Sequence, residues 1–338
     1  MLSSDNQSPR IDKRSPLLVA VTGGTGFIGR RLVRQHLAQG DSVRILSRDP
    51  VCHCFPDSPR LTLFQGDLGC GTGDLSAFVK DCDILYHCAG EVRREERMHM
   101  LHINGTRRLI NCAGGRIGHW VQLGSVGSYG LRQGGVITES EPVAPQGIYE
   151  ITKTNSDQLV TRAAREGQFS CTVLRPSIVF GPDMGNQSLF QLITAIDQGR
   201  FCFIGSPGAS ANYIHVDNVV KGLILCGKKM LPGVTLFNLS DHRTMEQFVS
   251  IIADCLDRPM PKKRIPLWFA RLIGATLGRV PGFPLTGSRV RALSSRTLYS
   301  MDAICSALGF TLCISMEEGL AQMVTSWKKK NSCRVVKS

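Results

Sequence analysis

Residues 17–32 constrain the fold more than any other part of the chain. A run of apolar, partly β-branched residues leads into a glycine-rich turn, and a helix-like apolar repeat follows at once. In such a unit Gly23 or Gly24 allows the tight turn, Gly26 lets the backbone approach a pyrophosphate, and Gly29 lets the helix pack closely on the sheet. Free N–H groups and the positive end of the helix dipole would then meet the phosphates. The stretch predicts a dinucleotide-binding domain.

Alternating strand and helix patterns follow this stretch. Strands are expected at 42–47, 61–64, 83–89, 120–123 and 172–174, with helices at 30–38, 75–80, 98–112 and 148–165 and a loop at 175–186. Such alternation is typical of an α/β fold with a Rossmann doubly wound parallel sheet. The pattern loosens in the second half of the chain, which is expected to form a smaller C-terminal α/β substrate lobe.

Four segments are expected along the 338 residues, a length that can bury a sizeable core. They are a polar mobile leader at 1–16, an NAD(P)-binding Rossmann domain at 17–180, a substrate-binding lobe interleaved with the sheet at 181–327, and a basic tail at 328–338. The apolar helix expected at 265–277 is too short to span a bilayer. A core or substrate-lid role is favoured for it over a membrane-surface role.

Charge and cysteine content narrow the class of protein. The net charge of +13 suits anionic cofactors, sugar nucleotides or membrane surfaces, but no basic–aromatic stripe of the kind that reads nucleic acid is present. The 13 cysteines lack repeated Cys-x-x-Cys spacing, which indicates free thiols in a reducing, cytoplasmic setting. Cys52-His53-Cys54 has no second ligand pair for a tetrahedral site, so no metal is expected.

Tyr149 and Lys153 are the first candidates for chemistry. Their i, i+4 spacing places a phenol and an ammonium on one helix face, about one turn apart. A neighbouring cation favours the phenolate and lowers a tyrosine pKa toward the range used in acid–base catalysis. Since this spacing also occurs in ordinary surface pairs, it predicts a catalytic role only in combination with other features.

Ser125 supplies such a feature. It ends a predicted strand ahead of the helix, at the sheet edge where parallel sheets bind ligands. Its hydroxyl could stabilise a developing oxyanion on a substrate, or it could merely cap the following turn. Ser128 is a less well placed alternative. No Gly-x-Ser-x-Gly elbow suggests a hydrolase.

These motifs, together with others in the same order, resemble those of the extended short-chain dehydrogenase/reductases, in the NAD-dependent epimerase/dehydratase and 3β-hydroxysteroid-dehydrogenase-like group. The matching segments cover roughly residues 17–327. They are TGGTGFIG at 22–29, GDL at 66–68, HCAG at 87–90, serine 125 four before YG at 129–130, YEITK at 149–153, LRPSIVFGP at 174–182, YIHVDN at 213–218 and LGF at 308–310.

The resemblance implies Tyr149 as general acid/base, Lys153 as its pKa partner and ribose ligand, and Ser125 as donor to the substrate oxygen. It also implies that Asp67 and Leu68 border the adenine. The implied cofactor-binding residues are Gly23, Thr25, Gly26, Phe27, Ile28, Gly29, Asp67, Leu68, Ala89, Gly90, Tyr149, Lys153 and Pro176, the last beginning the loop under the nicotinamide. A homodimer through the helices at 98–112 and 148–165 is implied as well.

One departure from the family pattern concerns the cofactor. An NAD enzyme usually ends its second strand with an acid for the ribose 2′-hydroxyl, whereas Ser47 stands here, followed by Arg48. An arginine at this place suits a 2′-phosphate, although it could also be a solvated surface residue. NADP is therefore favoured over NAD.

Other departures concern the site and the substrate. The family often has Asn three before a Gly-Thr pair, where this chain has His102, with Asn104 beside the pair; an active-site role for either residue is in doubt. Ala211 stands where sugar-nucleotide enzymes commonly carry a phosphate-binding Arg, and Ser177 where many have Asn. Other arginines could supply the phosphate contact: Arg289, Arg291 and Arg296.

Three functions remain open. The broadest is hydride transfer at a secondary alcohol or ketone in a nucleoside-diphosphate-sugar epimerase or dehydratase. The second is an NADP-dependent dehydrogenase or reductase of a hydrophobic ring alcohol, favoured by the missing phosphate arginine and the apolar helix around Trp268. A non-catalytic NADP-binding regulator is the third, and the intact Ser125, Tyr149 and Lys153 argue against it.

Overall fold

A computed structural model describes residues 15–49, 54–132, 134–276 and 287–335 of the chain. Most of the expected leader, the last three residues of the tail, and the Cys52-His53 part of the metal motif lie outside these residues. Within the described part, no helix is both long and apolar enough to cross a membrane.

Strands and helices alternate along the chain. The strands are β1 (Leu18–Thr22), β2 (Ser42–Ser47), β3 (Leu61–Gln65), β4 (Cys82–His87), β5 (Ile117–Leu123), β6 (Gly134–Ile137), β7 (Ser170–Pro176), β8 (Ile178–Phe180), β9 (Phe203–Ile204), β10 (Ser210–His215), β11 (Val234–Leu239), β12 (Asp241–Thr244), β13 (Arg264–Ile265) and β14 (Arg296–Tyr299). The helices are α1 (Gly29–Ala38), α2 (Leu75–Val79), α3 (Glu95–His99), α4 (Thr106–Ala113), α5 (Ile148–Arg165), α6 (Ser188–Asp197), α7 (Val216–Lys229), α8 (Met245–Cys255), α9 (Leu267–Thr276), α10 (Gly287–Ser294), α11 (Asp302–Leu308) and α12 (Met316–Val335).

The central sheet is parallel throughout, with the strand order β11-β7-β5-β4-β1-β2-β3. Side chains alternate across β1: Val19 and Val21 pack into one core with α1, α7 and α11, whereas Ala20 packs into the opposite core with α2, α4 and α5. Helices thus cover both faces, as expected for a Rossmann doubly wound sheet. The strand order changes direction between β1 and β4, and folds of this kind bind ligands at such a point.

A second core lies beside the sheet, in the expected substrate lobe. Phe180, Phe248 and Met323 belong to it, and it joins α6, α8 and α12 to the three-stranded sheet β12-β10-β8. Some later elements return to the central sheet: β11 is its edge strand, and α7 and α11 pack on its face.

Three details differ from the sequence-based expectations. The helix expected at 98–112 is interrupted by a π-helix, Met100–Gly105, before α4 begins. The loop expected at 175–186 contains β8. The basic tail expected from residue 328 onward begins inside a helix, because α12 continues to Val335.

Candidate functional site

A cavity of about 420 Å³ opens at the carboxyl edge of β1, β2 and β4. Its walls contain these residues singled out from the sequence: Gly23, Thr25, Gly26, Arg48, Asp67, Leu68, Ala89 and Gly90. The loops after these strands and after β3 therefore bring most of the expected cofactor residues together.

The glycine turn packs closely against neighbouring backbone only because side chains are absent. Gly23 has φ of +67°, and a Cβ there would lie 2.8 Å from the Ala89 backbone N and Cα. A Cβ on Gly29 would collide with the Gly23 carbonyl, so this glycine sets the close packing of α1 on the turn. Gly26 is exposed at the cavity wall. The cradle and the cavity volume fit a dinucleotide.

Three other expected cofactor residues are not among those that line this cavity. Phe27 packs against the second core, with the Arg31 guanidinium 5.0 Å from its ring centroid, and Ile28 packs against the core beneath β1. Pro176 ends β7, where it pairs with Leu239 of β11.

Polar groups line the end of the cavity beside β2 and β3. The Asp67 carboxylate accepts the backbone N–H of Gly69 at 2.8 Å and lies 3.5 Å from Arg97, so it holds the loop that follows β3. Arg48 and Asp49 are both exposed at the wall of the cavity. A cation and an anion therefore stand together where the ribose of a dinucleotide would lie.

Tyr149 and Lys153 lie in the first turns of α5, outside the walls of this cavity. Lys153 is only 4% exposed, and burial lowers its pKa. Burial, with smaller contributions from Asp157 and Glu150, raises the pKa of Tyr149 to about 12. This direction is opposite to the one expected from the lysine, because burial of the phenol and the nearby carboxylates both disfavour the phenolate.

Ser125 follows β5 after one intervening residue, Gly124, and caps a 3₁₀ turn, Val126–Tyr129. Its Oγ accepts the Gly127 N–H at 3.1 Å, so the capping role considered from the sequence is present. The hydroxyl hydrogen of Ser125 remains able to donate to another acceptor. Ser128 is fully buried, and its Oγ accepts a hydrogen bond from Thr154 at 2.9 Å.

His102, whose role was in doubt from the sequence, connects the two parts of the site. Its ring is 1% exposed in the π-helix, its Nε2 accepts the Glu91 N–H at 2.9 Å, and its Nδ1 lies 2.8 Å from Thr152 Oγ1. The ring also meets Tyr149 edge-on, with centroids 5.8 Å apart. Burial lowers the His102 pKa to about 3, so the ring is neutral and Nδ1 donates to Thr152.

A buried polar chain continues beneath the site. His87 bridges the hydroxyls of Thr22 and Thr106, at 2.6 and 3.0 Å. Thr106 in turn lies 2.9 Å from Ser156 on α5. Sequence reasoning missed this chain, because its members are ordinary residues whose contact depends on the crossing of α4 and α5. It ties the first strand to the helix that carries Tyr149.

Curated proteins similar to this chain include oxidoreductases and an epimerase. Sterol-4-alpha-carboxylate 3-dehydrogenase, decarboxylating, from Homo sapiens is 26% identical over 94% of this chain and 90% of its own length. UDP-glucose 4-epimerase from Vibrio cholerae is 21% identical over 95% of this chain and 98% of its own length. The 3-beta-hydroxysteroid dehydrogenase of Mycolicibacterium neoaurum is 26% identical over 73% of this chain and 72% of its own.

Solved structures share the fold. MoeE5 in complex with UDP-glucuronic acid and NAD superposes with a TM-score of 0.70 at 24% identity, covering 93% of this chain and 99% of that one. The protein gox2253 gives a TM-score of 0.74 at 23% identity, covering 93% and 98% of the two chains. The family model for the NAD dependent epimerase/dehydratase family matches residues 19–239, and this chain belongs to that family of NAD-dependent oxidoreductases, epimerases and dehydratases.

Proposed function

We propose that this chain transfers hydride between a nicotinamide cofactor and a secondary alcohol or ketone, with Ser125, Tyr149 and Lys153 as its catalytic residues. The observation that carries the proposal is the position of His102. One neutral imidazole holds the backbone at Glu91, in the wall of the dinucleotide cavity, and contacts Tyr149 on the catalytic helix. A cofactor in the cavity and the Tyr149 hydroxyl therefore share one rigid support.

Each catalytic residue has a separate task. The nicotinamide supplies or accepts the hydride when the cofactor is bound. Tyr149 gives its proton to the substrate oxygen during reduction and takes one during oxidation. Lys153 provides a cation near the phenolate and a donor for a ribose hydroxyl, while Ser125 donates its free hydroxyl hydrogen to the substrate oxygen.

We further propose that the preferred cofactor is NADP. Arg48 is exposed at the cavity wall immediately after β2, and its guanidinium suits a 2′-phosphate geometrically and electrostatically. The residue that ends β2 is Ser47, whose hydroxyl accepts the Asp49 N–H at 3.2 Å.

The substrate class that we favour is a hydrophobic ring alcohol or ketone. Ala211 is 1% exposed in the second core, so the β10 position considered for a phosphate-binding arginine faces packing atoms. Arg296 is one of the three arginines considered as an alternative phosphate ligand. Its guanidinium donates to the Pro207 carbonyl at 2.8 Å, so it already has a partner within the protein. Arg291 is exposed on α10, while the Arg289 side chain lies outside the described part.

Nucleotide-sugar epimerisation is the second candidate. It is supported by the exposed Arg291, by the similarity to a UDP-glucose 4-epimerase and by membership of the epimerase/dehydratase family. In that cycle the hydride is removed and returned, so the cofactor would stay bound through turnover.

One experiment separates these candidates. The purified protein is denatured, any released nucleotide is identified, and the apoprotein is titrated with NADPH and NADH. Reversible NADPH binding to a nucleotide-free protein, followed by turnover of hydrophobic ring ketones, is the expected result. A stoichiometric nucleotide that does not exchange would favour epimerisation. Failure to bind either nucleotide would contradict the whole proposal.

We also propose a cytoplasmic homodimer, the dimer because the family resemblance implies it and the compartment because the cysteine pattern indicates free thiols. Ile148 and Ile151 are exposed on α5, one of the two helices concerned. Light scattering at micromolar concentration tests this state, and a monomeric mass would contradict it.

A further inference from the structure

The helix α9 presents an apolar surface to solvent. Trp268, Phe269 and Leu272 are 68%, 41% and 55% exposed, and we call these three residues the α9 face. Trp268 and Leu272 are one helical turn apart, and the rings of Trp268 and Phe269 meet edge-on with centroids 5.6 Å apart. Two adjacent exposed aromatic rings mark a binding surface more strongly than scattered apolar residues do.

The opposite side of α9 is firmly packed. Ala270 is fully buried and Gly274 is also buried, so the helix rests on small residues. Ala270 belongs to a small core with Ile204 and Val290, which joins α9 to β9 and α10. The helix is thus held at the surface of the second lobe with the α9 face outward. One side of α9 therefore contributes to a core, while its large aromatic residues remain exposed.

The sequence on both sides of the face is basic. Residues 258–301 contain nine lysines and arginines and no acidic residue. Arg264 is paired with Glu246 at 2.7 Å, but Lys262, Lys263 and Arg271 are exposed and make no ion pair with any described residue. Unpaired cations therefore stand within α9 and a few residues before it.

We propose that the α9 face binds the surface of a membrane that contains anionic lipid. Aromatic and aliphatic side chains enter the boundary between headgroups and acyl chains, while neighbouring lysines and arginines are attracted to anionic headgroups. A helix of 10 residues is about 15 Å long, half the thickness of a hydrocarbon core, so α9 lies in the interface. The exposed lysines and arginines near the face favour anionic lipid over neutral lipid as its binding partner.

Vesicle co-sedimentation with the full-length protein tests the proposal. Vesicles of phosphatidylcholine with about one third phosphatidylserine should bind the wild type, pure phosphatidylcholine should bind it much more weakly, and added salt should release it. Trp268→Ser/Leu272→Ser should raise the lipid concentration needed for half-maximal binding by about tenfold or more. Leu131→Ser/Leu312→Ser removes two exposed leucines elsewhere and should bind like the wild type.

Charge is tested separately with a matched pair. Lys262→Gln/Lys263→Gln should weaken binding to anionic vesicles, whereas Lys328→Gln/Lys329→Gln removes the same charge from exposed positions of α12 and should have a smaller effect. Trp120 is fully buried and Trp327 donates to Thr194, so the vesicle-induced blue shift of fluorescence should come from Trp268 and vanish in Trp268→Ser.

Two results would overturn the proposal. The first is vesicle binding that the α9 variants leave unchanged. The second is an oligomer that forms without vesicles and that these variants dissociate, because a second copy of the chain would then cover the face. Cofactor binding by the same variants should stay unchanged. The test is therefore independent of the proposed oxidoreductase function.

Discussion

At the scale of single residues, burial decides the chemistry of the site more than sequence spacing does. The i, i+4 spacing of Tyr149 and Lys153 is present on α5, but desolvation raises the pKa of the phenol to about 12 and lowers that of the lysine. Both shifts favour the uncharged forms. A bound cofactor and substrate would have to supply the remaining stabilisation of the phenolate.

Replacement of the phenol isolates the proton-transfer step. Tyr149→Phe keeps the ring beside His102, so cofactor affinity measured by fluorescence titration should change little. Turnover should fall by about 10²–10⁴-fold, the usual contribution of a general acid or base. Full turnover in this variant would remove Tyr149 from the mechanism and would support a non-catalytic cofactor-binding role for the protein.

Charge reversal at the cavity wall tests the cofactor preference. Arg48→Glu replaces a charge-assisted donor by a repelling carboxylate, so the Kd of NADPH should rise about 10–100-fold while that of NADH changes much less. Isothermal titration with both nucleotides measures the two values. Equal losses for NADPH and NADH would show that Arg48 does not read a 2′-phosphate.

Removal of the His102 ring tests the link between cavity and catalytic helix. His102→Ala leaves the Glu91 N–H without its acceptor, a cost of about 1–3 kcal/mol, and frees one side of Tyr149. We expect a lower kcat together with a higher KM for the cofactor. His102→Asn, which can accept and donate, should restore part of both. His99→Ala, at an exposed position of α3, serves as the control, and equal effects of the two alanine variants would refute the link.

At the scale of elements, the glycine turn between β1 and α1 depends on close backbone approach. Gly23 adopts a positive φ, and Gly29 has no room for a Cβ beside the Gly23 carbonyl. The sequence motif indicated both requirements correctly. By contrast, the π-helix that carries His102 was not foreseen, because the residues of 98–112 are equally compatible with a regular helix. In the structure this segment packs against α5.

Gly29→Ala should therefore destabilise the fold by about 1–3 kcal/mol, as overpacking does, and should weaken nucleotide binding. Urea denaturation monitored by circular dichroism measures the loss. Gly287→Ala is the matched control, since a Cβ there meets no atom of the described residues within 4 Å and the backbone needs no positive φ. Similar stability of the two variants would contradict the close-packing role of Gly29.

At the scale of the whole molecule, buried histidines make stability depend on pH. His119 is fully buried between Ser170 and Thr172, and burial lowers its pKa to about 4. In the unfolded chain a histidine takes up a proton near pH 6.5. Between these two values the unfolded state binds more protons, so the free energy of unfolding must decrease as the pH falls.

Between pH 7 and pH 5 this contribution amounts to about 2 kcal/mol for His119. Denaturation at the two pH values measures the difference. His119→Gln should reduce the pH dependence by roughly that amount, whereas His99→Gln, at an exposed position, should not. An unchanged pH dependence in His119→Gln would show that another group dominates acid destabilisation.

The sequence by itself determined the parallel doubly wound fold, the glycine cradle and the candidates for acid–base chemistry, because these depend on local periodicity and on residue types at short spacing. The tertiary structure decided which candidates meet. It placed Gly23, Arg48 and Asp67 around one cavity, packed Phe27 against the second core, paired Pro176 with Leu239, and joined His102 to Tyr149. Such contacts depend on how helices cross and on what becomes buried, and these long-range properties are not present in any short stretch of sequence.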